Sequence, residues 1–172
     1  LSDVNTIAIG VPGAQNIGAG DSSNRRSGMV RVYEYDGSDW VQQGNDILGE
    51  NGGTMYSQFN SQDFDSWPRN ISVSISNDGK ILVVGYPFNN GNGARSGNVR
   101  IYQYNGSDWL QIGTDIYGQS VDVRSGWNVS ISGDSSTVAI SSPNNDNNGT
   151  NCGMVSIYTV SYTHLTLPTI RS

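Results

Sequence analysis

Two stretches of the chain carry the same alternation of apolar and polar positions. In Ser96–Gly118, SGNVRIYQYNGSDWLQIGTDIYG, Val99 and Ile101 alternate with Arg100, Tyr102 and Tyr104. This is the period of two that places successive side chains on opposite faces of a strand. Both faces carry large side chains, which predicts a strand packed on two sides. Asn105-Gly106 follows, as Asp36-Gly37 does 69 residues earlier. Each is a strong hairpin signal and predicts a type I′ turn with positive φ at both central residues. Trp109-Leu110-Gln111 and Trp40-Val41-Gln42 then open the returning strand.

The earlier copy, Ser27–Gly49, reads SGMVRVYEYDGSDWVQQGNDILG, and a third opens at Gly153 with GMVSIY. Ahead of the later two copies run ISVSIS (Ile71–Ser76) and KILVVGY, then NVSIS (Asn128–Ser132) and STVAIS. TIAIG, near Leu1, matches the second member of each pair. Every unit therefore predicts four short strands: first, turn, second, loop, third, hairpin, fourth. The loops between second and third strands, at 13–26, 88–95 and 144–151, are rich in Asn, Asp and Gly and are expected at the surface.

Four antiparallel strands recurring at spacings of 69 and 56 residues (Gly28 to Gly97 to Gly153) is the pattern of propeller blades. The expected fold is all-β, a partial β-propeller of about two and a half four-stranded antiparallel blades. Residues 1–159 form the repeat region, with a partial blade at 1–50, a blade at 51–118 and a partial blade at 119–159. A β-sandwich or solenoid of the same hairpins is the alternative architecture. A closed ring usually takes about four to eight blades, so the chain reads as a fragment, and the remaining blades are its first expected partners. From Val160 the repeat pattern breaks, and VSYTHLTLPT resembles a translated sequencing adapter. Residues 160–172 are set aside as a non-native tail.

Composition narrows the chemistry. The formal charge is −6, and removing the tail with His164 and Arg171 leaves the chain more acidic. Nucleic-acid binding begins with phosphate neutralisation, so it is not expected. No apolar run is long enough to span a membrane. His164 is the only histidine, which leaves the repeat region without a Ser-His-Asp or Cys-His arrangement. Cys152, the only cysteine, aligns with Ser27 and Ser96 and reads as a loop substitution. Asp39/Asp108 and Asp46/Asp115 recur in both copies, which points to structural carboxylates, since a catalytic site needs its groups once. Trp40 and Trp109 could stack a sugar ring, but packing between blades is the preferred reading. The chain is not expected to be an enzyme.

Gly10-Val11-Pro12 and Gly85-Tyr86-Pro87, at the ends of second strands, resemble the Gly-Ala-Pro element of FG-GAP repeats, the blades of integrin α-subunit propellers. The third copy departs with Ser141-Ser142-Pro143, and the Phe-Gly element is degenerate at Trp67-Pro68-Arg69 and Ser125-Gly126-Trp127. The family's calcium loop is reduced to Ser76-Asn77-Asp78-Gly79, too short to supply the six to eight oxygens calcium takes. No cofactor is expected. A weak calcium candidate remains at Asn144, Asp146 and Asn148, where N-x-D-x-N-G resembles a loop start but Val155 stands where a bidentate glutamate belongs.

The resemblance implies an extracellular or cell-surface binding or adhesion module with a protein or glycan ligand. The alternatives are an accessory domain of a secreted hydrolase and a structural spacer. Asn89, Asn90, Asn92, Asn145 and Asp146 are the candidate ligand-rim residues. Asn70, Asn105, Asn128 and Asn148 head N-x-S/T sequons and are candidate glycosylation sites.

Overall fold

The structure is a computed structural model that describes residues 5–12, 14, 28–49, 70–147, 149–150 and 152–160. Among these the fold is all-β, without a helix, and consists of three antiparallel sheets. The first sheet joins β1 (Thr6–Val11), β2 (Met29–Tyr35) and β3 (Trp40–Gln42), with β4 (Ile47–Leu48) also paired to β2. The second runs β5 (Ser72–Ile75), β6 (Ile81–Tyr86), β7 (Asn98–Tyr104) and β8 (Trp109–Tyr117) as neighbours in chain order. The third does the same with β9 (Val129–Ile131), β10 (Thr137–Ser142) and β11 (Met154–Thr159). The predicted strand sequence of the unit is present in full in the second sheet.

The alternation read in the sequence becomes two distinct faces. Leu82, Val84, Tyr86, Tyr102 and Trp109 pack with Val30, Val32 and Ile47 of the first sheet. The intervening residues Ile81, Val83, Val99 and Ile101 pack with Ile131, Val138, Ile140 and Val160 of the third. The middle sheet is thus covered on both sides. Each fully buried Val or Ile contributes roughly 1.5–3 kcal/mol, so these two layers dominate the stability of the stack. Val160, placed in the tail from sequence, donates its N–H to Ser136 O at 2.8 Å and is buried, so the packed region reaches one residue beyond the expected boundary.

Bonds between sheets lie along the first strands. Ser72 Oγ donates to Gly126 O (2.8 Å), and Ser74 Oγ accepts from the N–H of Ile131 (3.1 Å). Here the glycine of Gly85-Tyr86-Pro87 has a steric reason: a Cβ would lie 2.3 Å from Gly126 O. Ser141 holds the same repeat position in the third sheet, where its Oγ accepts from the N–H of Asn128 at 2.9 Å.

One local feature differs from expectation. The hairpins are four-residue loops, with Tyr104 paired to Trp109 and Tyr35 to Trp40. Only Gly106 and Gly37 have positive φ (97° and 103°), so the type I′ reading is corrected. Asn105 Oδ1 instead accepts from the N–H of Ser107 and of Asp108, both at 2.9 Å. Asp36 does the same for Ser38 and Asp39 at 2.8 Å. This side-chain cap replaces the second positive φ. The ladder also shifts register between Val99 and Ile101, opposite Gly113 at φ 70°. Gly44 repeats the feature between β3 and β4 at φ 69°.

Candidate functional site

The connections after second strands and after fourth strands emerge at the same end of the sheets. Between the second and third sheets they are 87–97 and 118–128, and backbone hydrogen bonds lace them together. Asp122 N–H donates to Ala94 O (2.8 Å), Arg124 N–H to Arg95 O (3.1 Å) and Ser125 N–H to Ser96 O (2.9 Å). Arg95, Asp122 and Arg124 hold positive φ of 51°, 60° and 54°. Each such non-glycine residue costs on the order of 1–3 kcal/mol and clusters of them mark functional loops.

The side chains they aim form one patch. Arg95 Nε lies 3.0 Å from Asp122 Oδ1 and its Nη2 3.1 Å from Oδ2, while Arg124 Nε donates to Oδ1 at 3.0 Å. The Arg124 guanidinium sits over the rings of Phe88 (5.7 Å) and Trp127 (5.9 Å), within cation–π range. Phe88 and Trp127 meet edge-on with centroids 5.9 Å apart. Both guanidinium groups bear on the one Asp122 carboxylate. Sequence reasoning missed this group, because its members lie in two loops with no shared period. The available signal was two arginines and two aromatics in loops otherwise rich in Asn, Gly and Ser.

The predicted rim asparagines are largely committed within their loops. Asn89 Oδ1 accepts from Gly91 N–H and Asn90 Oδ1 from Arg95 N–H, both at 2.7 Å. Asn92 is exposed, and its Nδ2 donates to Gly118 O at 2.8 Å. Asn145 is buried, with Oδ1 accepting from Asn147 N–H at 3.0 Å. Asp146 is exposed. Asn144 is half-buried; Asn148 lies outside the described residues, as do the loop at 15–26, Trp67-Pro68-Arg69 and His164. Among the described residues no group of three or more His, Cys, Asp or Glu is arranged to hold a metal. Of the sequon asparagines, Asn70 donates its Nδ2 to Trp127 O at 2.7 Å, while Asn105 and Asn128 are exposed. Cys152 is exposed and not in a disulfide.

The recurring residues hold the sheets together. Asp115 accepts from Arg100 Nε and Nη2 (2.8 Å each), Asn98 Nδ2 (2.9 Å) and Gln111 Nε2 (2.9 Å). Burial alone would push its carboxyl up; the bonds and charge of Arg100, with Gln111 and Tyr117, outweigh it and hold the group below the usual carboxylate range. Asp46 repeats the pairing with Arg31 at 2.8 Å through both oxygens, and it too is held low, chiefly by that hydrogen bonding. Asp108 accepts from Asn45 N–H (3.0 Å) and Nδ2 (2.8 Å), and Trp109 Nε1 donates to Gln43 O (3.0 Å). The repeated Asp-Trp pair of the second sheet therefore clamps the β3–β4 segment of the first.

No known family model matches the chain, and no curated protein matches it. Among the described residues no helix is long and apolar enough to cross a membrane.

Proposed function

We propose that this chain is part of an extracellular β-propeller and serves as a binding or adhesion module. Its ligand, a protein or a glycan, meets the rim formed by Phe88–Arg95 and the loop ending at Trp127. The propeller reading is supported by two successive sheet-on-sheet interfaces that use equivalent residues, and by β5 lying between β1 and β9. The observation that carries the ligand reading is the Phe88–Arg124–Trp127 stack beside Arg95 and Asp122. An aromatic face presents a plane to a sugar ring or an apolar side chain, and a guanidinium presents fixed donors to a carboxylate or sulfate. The strained backbone beneath them is built to aim side chains rather than to pack a core. In this reading the recurring carboxylates are structural and the chain is not an enzyme.

The test is retention of the purified chain on arrays of neutral and acidic glycans and of extracellular matrix proteins, beside Arg124→Ala and Phe88→Ala. Binding lost in both variants, with unchanged circular dichroism, supports the reading. Absence of binding by the unaltered chain, or equal binding by the variants, overturns it.

A further inference from the structure

An asparagine followed by glycine is open to internal attack on its side-chain amide, because glycine has no side chain to shield its backbone nitrogen. Asn51, Asn90, Asn92, Asn105 and Asn148 each precede a glycine. Both residues are described in Asn90-Gly91, Asn92-Gly93 and Asn105-Gly106. These three differ in what the attack needs, a free glycine N–H and an activated carboxamide.

The two pairs in the 87–97 loop are held. Gly91 N–H donates to Asn89 Oδ1 at 2.7 Å and Gly93 N–H to Asn90 O at 3.2 Å. The Tyr117 ring fills the space a Cβ on Gly91 would take, and the Asn92 amide is tied to Gly118 O at 2.8 Å. At the β7–β8 hairpin the situation is reversed. Gly106 is exposed, nothing lies within 4 Å of where its Cβ would sit, and its N–H takes part in no hydrogen bond among the described residues. Asn105 Oδ1 accepts from Ser107 N–H, Ser107 Oγ and Asp108 N–H, each at 2.9 Å. Those three donors face the oxygen on which negative charge develops when the amide carbon is attacked, as donors do around the tetrahedral intermediates of acyl transfer.

The earlier copy of the hairpin carries the product of that reaction. Asp36 holds the position of Asn105, and its Oδ1 accepts from Ser38 N–H, Ser38 Oγ and Asp39 N–H at 2.8 Å each. A carboxylate therefore fits this four-residue loop with the same three donors, and conversion of Asn105 to aspartate loses none of them.

We propose that Asn105 is a self-modifying site, which the open hairpin makes deamidate ahead of Asn90 and Asn92 and so take on the acidic form present at Asp36. Gly106 N, losing its proton to solvent, bonds to Asn105 Cγ, and the Cγ–Nδ2 bond breaks to release ammonia. Water then opens the five-membered imide, at Cγ to give aspartate or at the main-chain carbonyl carbon to give the isoaspartyl linkage. In sum one carboxamide and one water become one carboxylate and one ammonium ion. The reaction adds a negative charge beside Asp108 and abolishes the Asn105 sequon, so it and an attached glycan exclude each other. It is independent of any ligand at the rim.

The test is incubation of the purified chain near neutral pH in water enriched in heavy oxygen, followed by tryptic peptide mass spectrometry. Cleavage after Lys80, Arg95, Arg100 and Arg124 puts Asn90 and Asn92 in one peptide and Asn105 in another. Asn105 is expected to react at least about fivefold faster than Asn90 or Asn92, the factor that one hydrogen bond on the attacking N–H is worth. In strong urea the three are expected to react at like rates, since the bonds that distinguish them are gone. Ser107→Ala removes one of the three donors and is expected to slow Asn105 by roughly threefold while leaving the other two unchanged. Asn105→Asp, the product made directly, is expected to unfold in urea at the midpoint of the unaltered chain. A rate at Asn105 no greater than at Asn90 and Asn92 in the folded chain overturns the proposal. So does a preference for Asn105 that persists unchanged in urea, which would assign it to sequence rather than to the hairpin.

Discussion

Replacing Trp109 with alanine, and separately Trp40 with alanine, removes the same side chain from the same position of two repeats. Only the surroundings differ. A tryptophan buries about 150–250 Å² when covered, which at about 25 cal/mol per Å² is roughly 4–6 kcal/mol. Trp109, 6% exposed, takes nearly all of that, and its loss also leaves Gln43 O without the indole donor, a further ~1 kcal/mol. Trp40, 47% exposed, takes about half of it. Measured substitutions of this type in cores cost about 3–5 kcal/mol, so Trp109→Ala is expected to cost at least ~2 kcal/mol more than Trp40→Ala. Urea unfolding followed by circular dichroism, at a concentration where the chain is monomeric, gives both values. Equal costs, or a larger cost at Trp40, would refute the assignment of these two positions to a covered and an open face.

Three further outcomes follow from the same geometry. Asp115→Asn leaves the Arg100 side chain, 9% exposed, without its counter-charge and is expected to cost about 3–5 kcal/mol; Asp46→Asn, in the more open pair with Arg31, is expected to cost under ~1 kcal/mol, both read from urea midpoints. Asp36, Asp46, Asp108 and Asp115 are held below the ordinary carboxylate range, and Asp134 is pulled down to about 2 by Ser132 Oγ and by the N–H and Oγ of Ser136. A depressed folded-state pKa stabilises the fold above the unfolded value of about 4, and that contribution is lost as pH falls toward the folded values. Thermal melts should therefore be level from about pH 7 to 5 with respect to these groups and drop between about pH 4 and 2, and Asp134→Asn should shallow the drop. Gly85→Ala puts a Cβ against Gly126 O and is expected to cost about 1–3 kcal/mol or more, while Ser141→Ala, at the same repeat position, loses the two hydrogen bonds of its Oγ with the Asn128 backbone and about 1 kcal/mol.

The all-β class, the four-strand unit and the doubly packed third strand were legible because period-two alternation and an internal repeat each report on one unit at a time. Val99 and Ile101 could be assigned to one face and Tyr102 and Tyr104 to the other without knowing what covers either. What alternation does not contain is the neighbour. That Asp108 and Trp109 reach back to Gln43 and Asn45, or that Gly85 is small because Gly126 O approaches it, depends on two units meeting. The hairpin was misread because Asn-Gly and Asp-Gly also serve loops in which the Asn or Asp side chain supplies the hydrogen bonds, as Asn105 and Asp36 do. The rim cluster escaped because Phe88, Arg95, Asp122, Arg124 and Trp127 come together through a loop lacing that follows no period. Asn89 and Asn90, two of the asparagines favoured for the rim, accept backbone hydrogen bonds that shape the loop carrying Phe88 and Arg95.

The central claim is that the two sheet-on-sheet interfaces use the same face, and that at the first of them the Asp-Trp hairpin of the second sheet is seated on the β3–β4 segment of the first. The indole Cδ1 of Trp109 lies 3.0 Å from the point where a Cβ on Gly44 would sit, so the two residues are in direct contact. A NOESY spectrum of the labelled chain, recorded dilute enough to be monomeric, reads that contact. The account predicts cross-peaks from the Trp109 indole to Gly44 Hα, and none of that kind from Trp40. Absence of the Trp109–Gly44 cross-peaks in a folded chain, or indistinguishable environments for the two indoles, would contradict it.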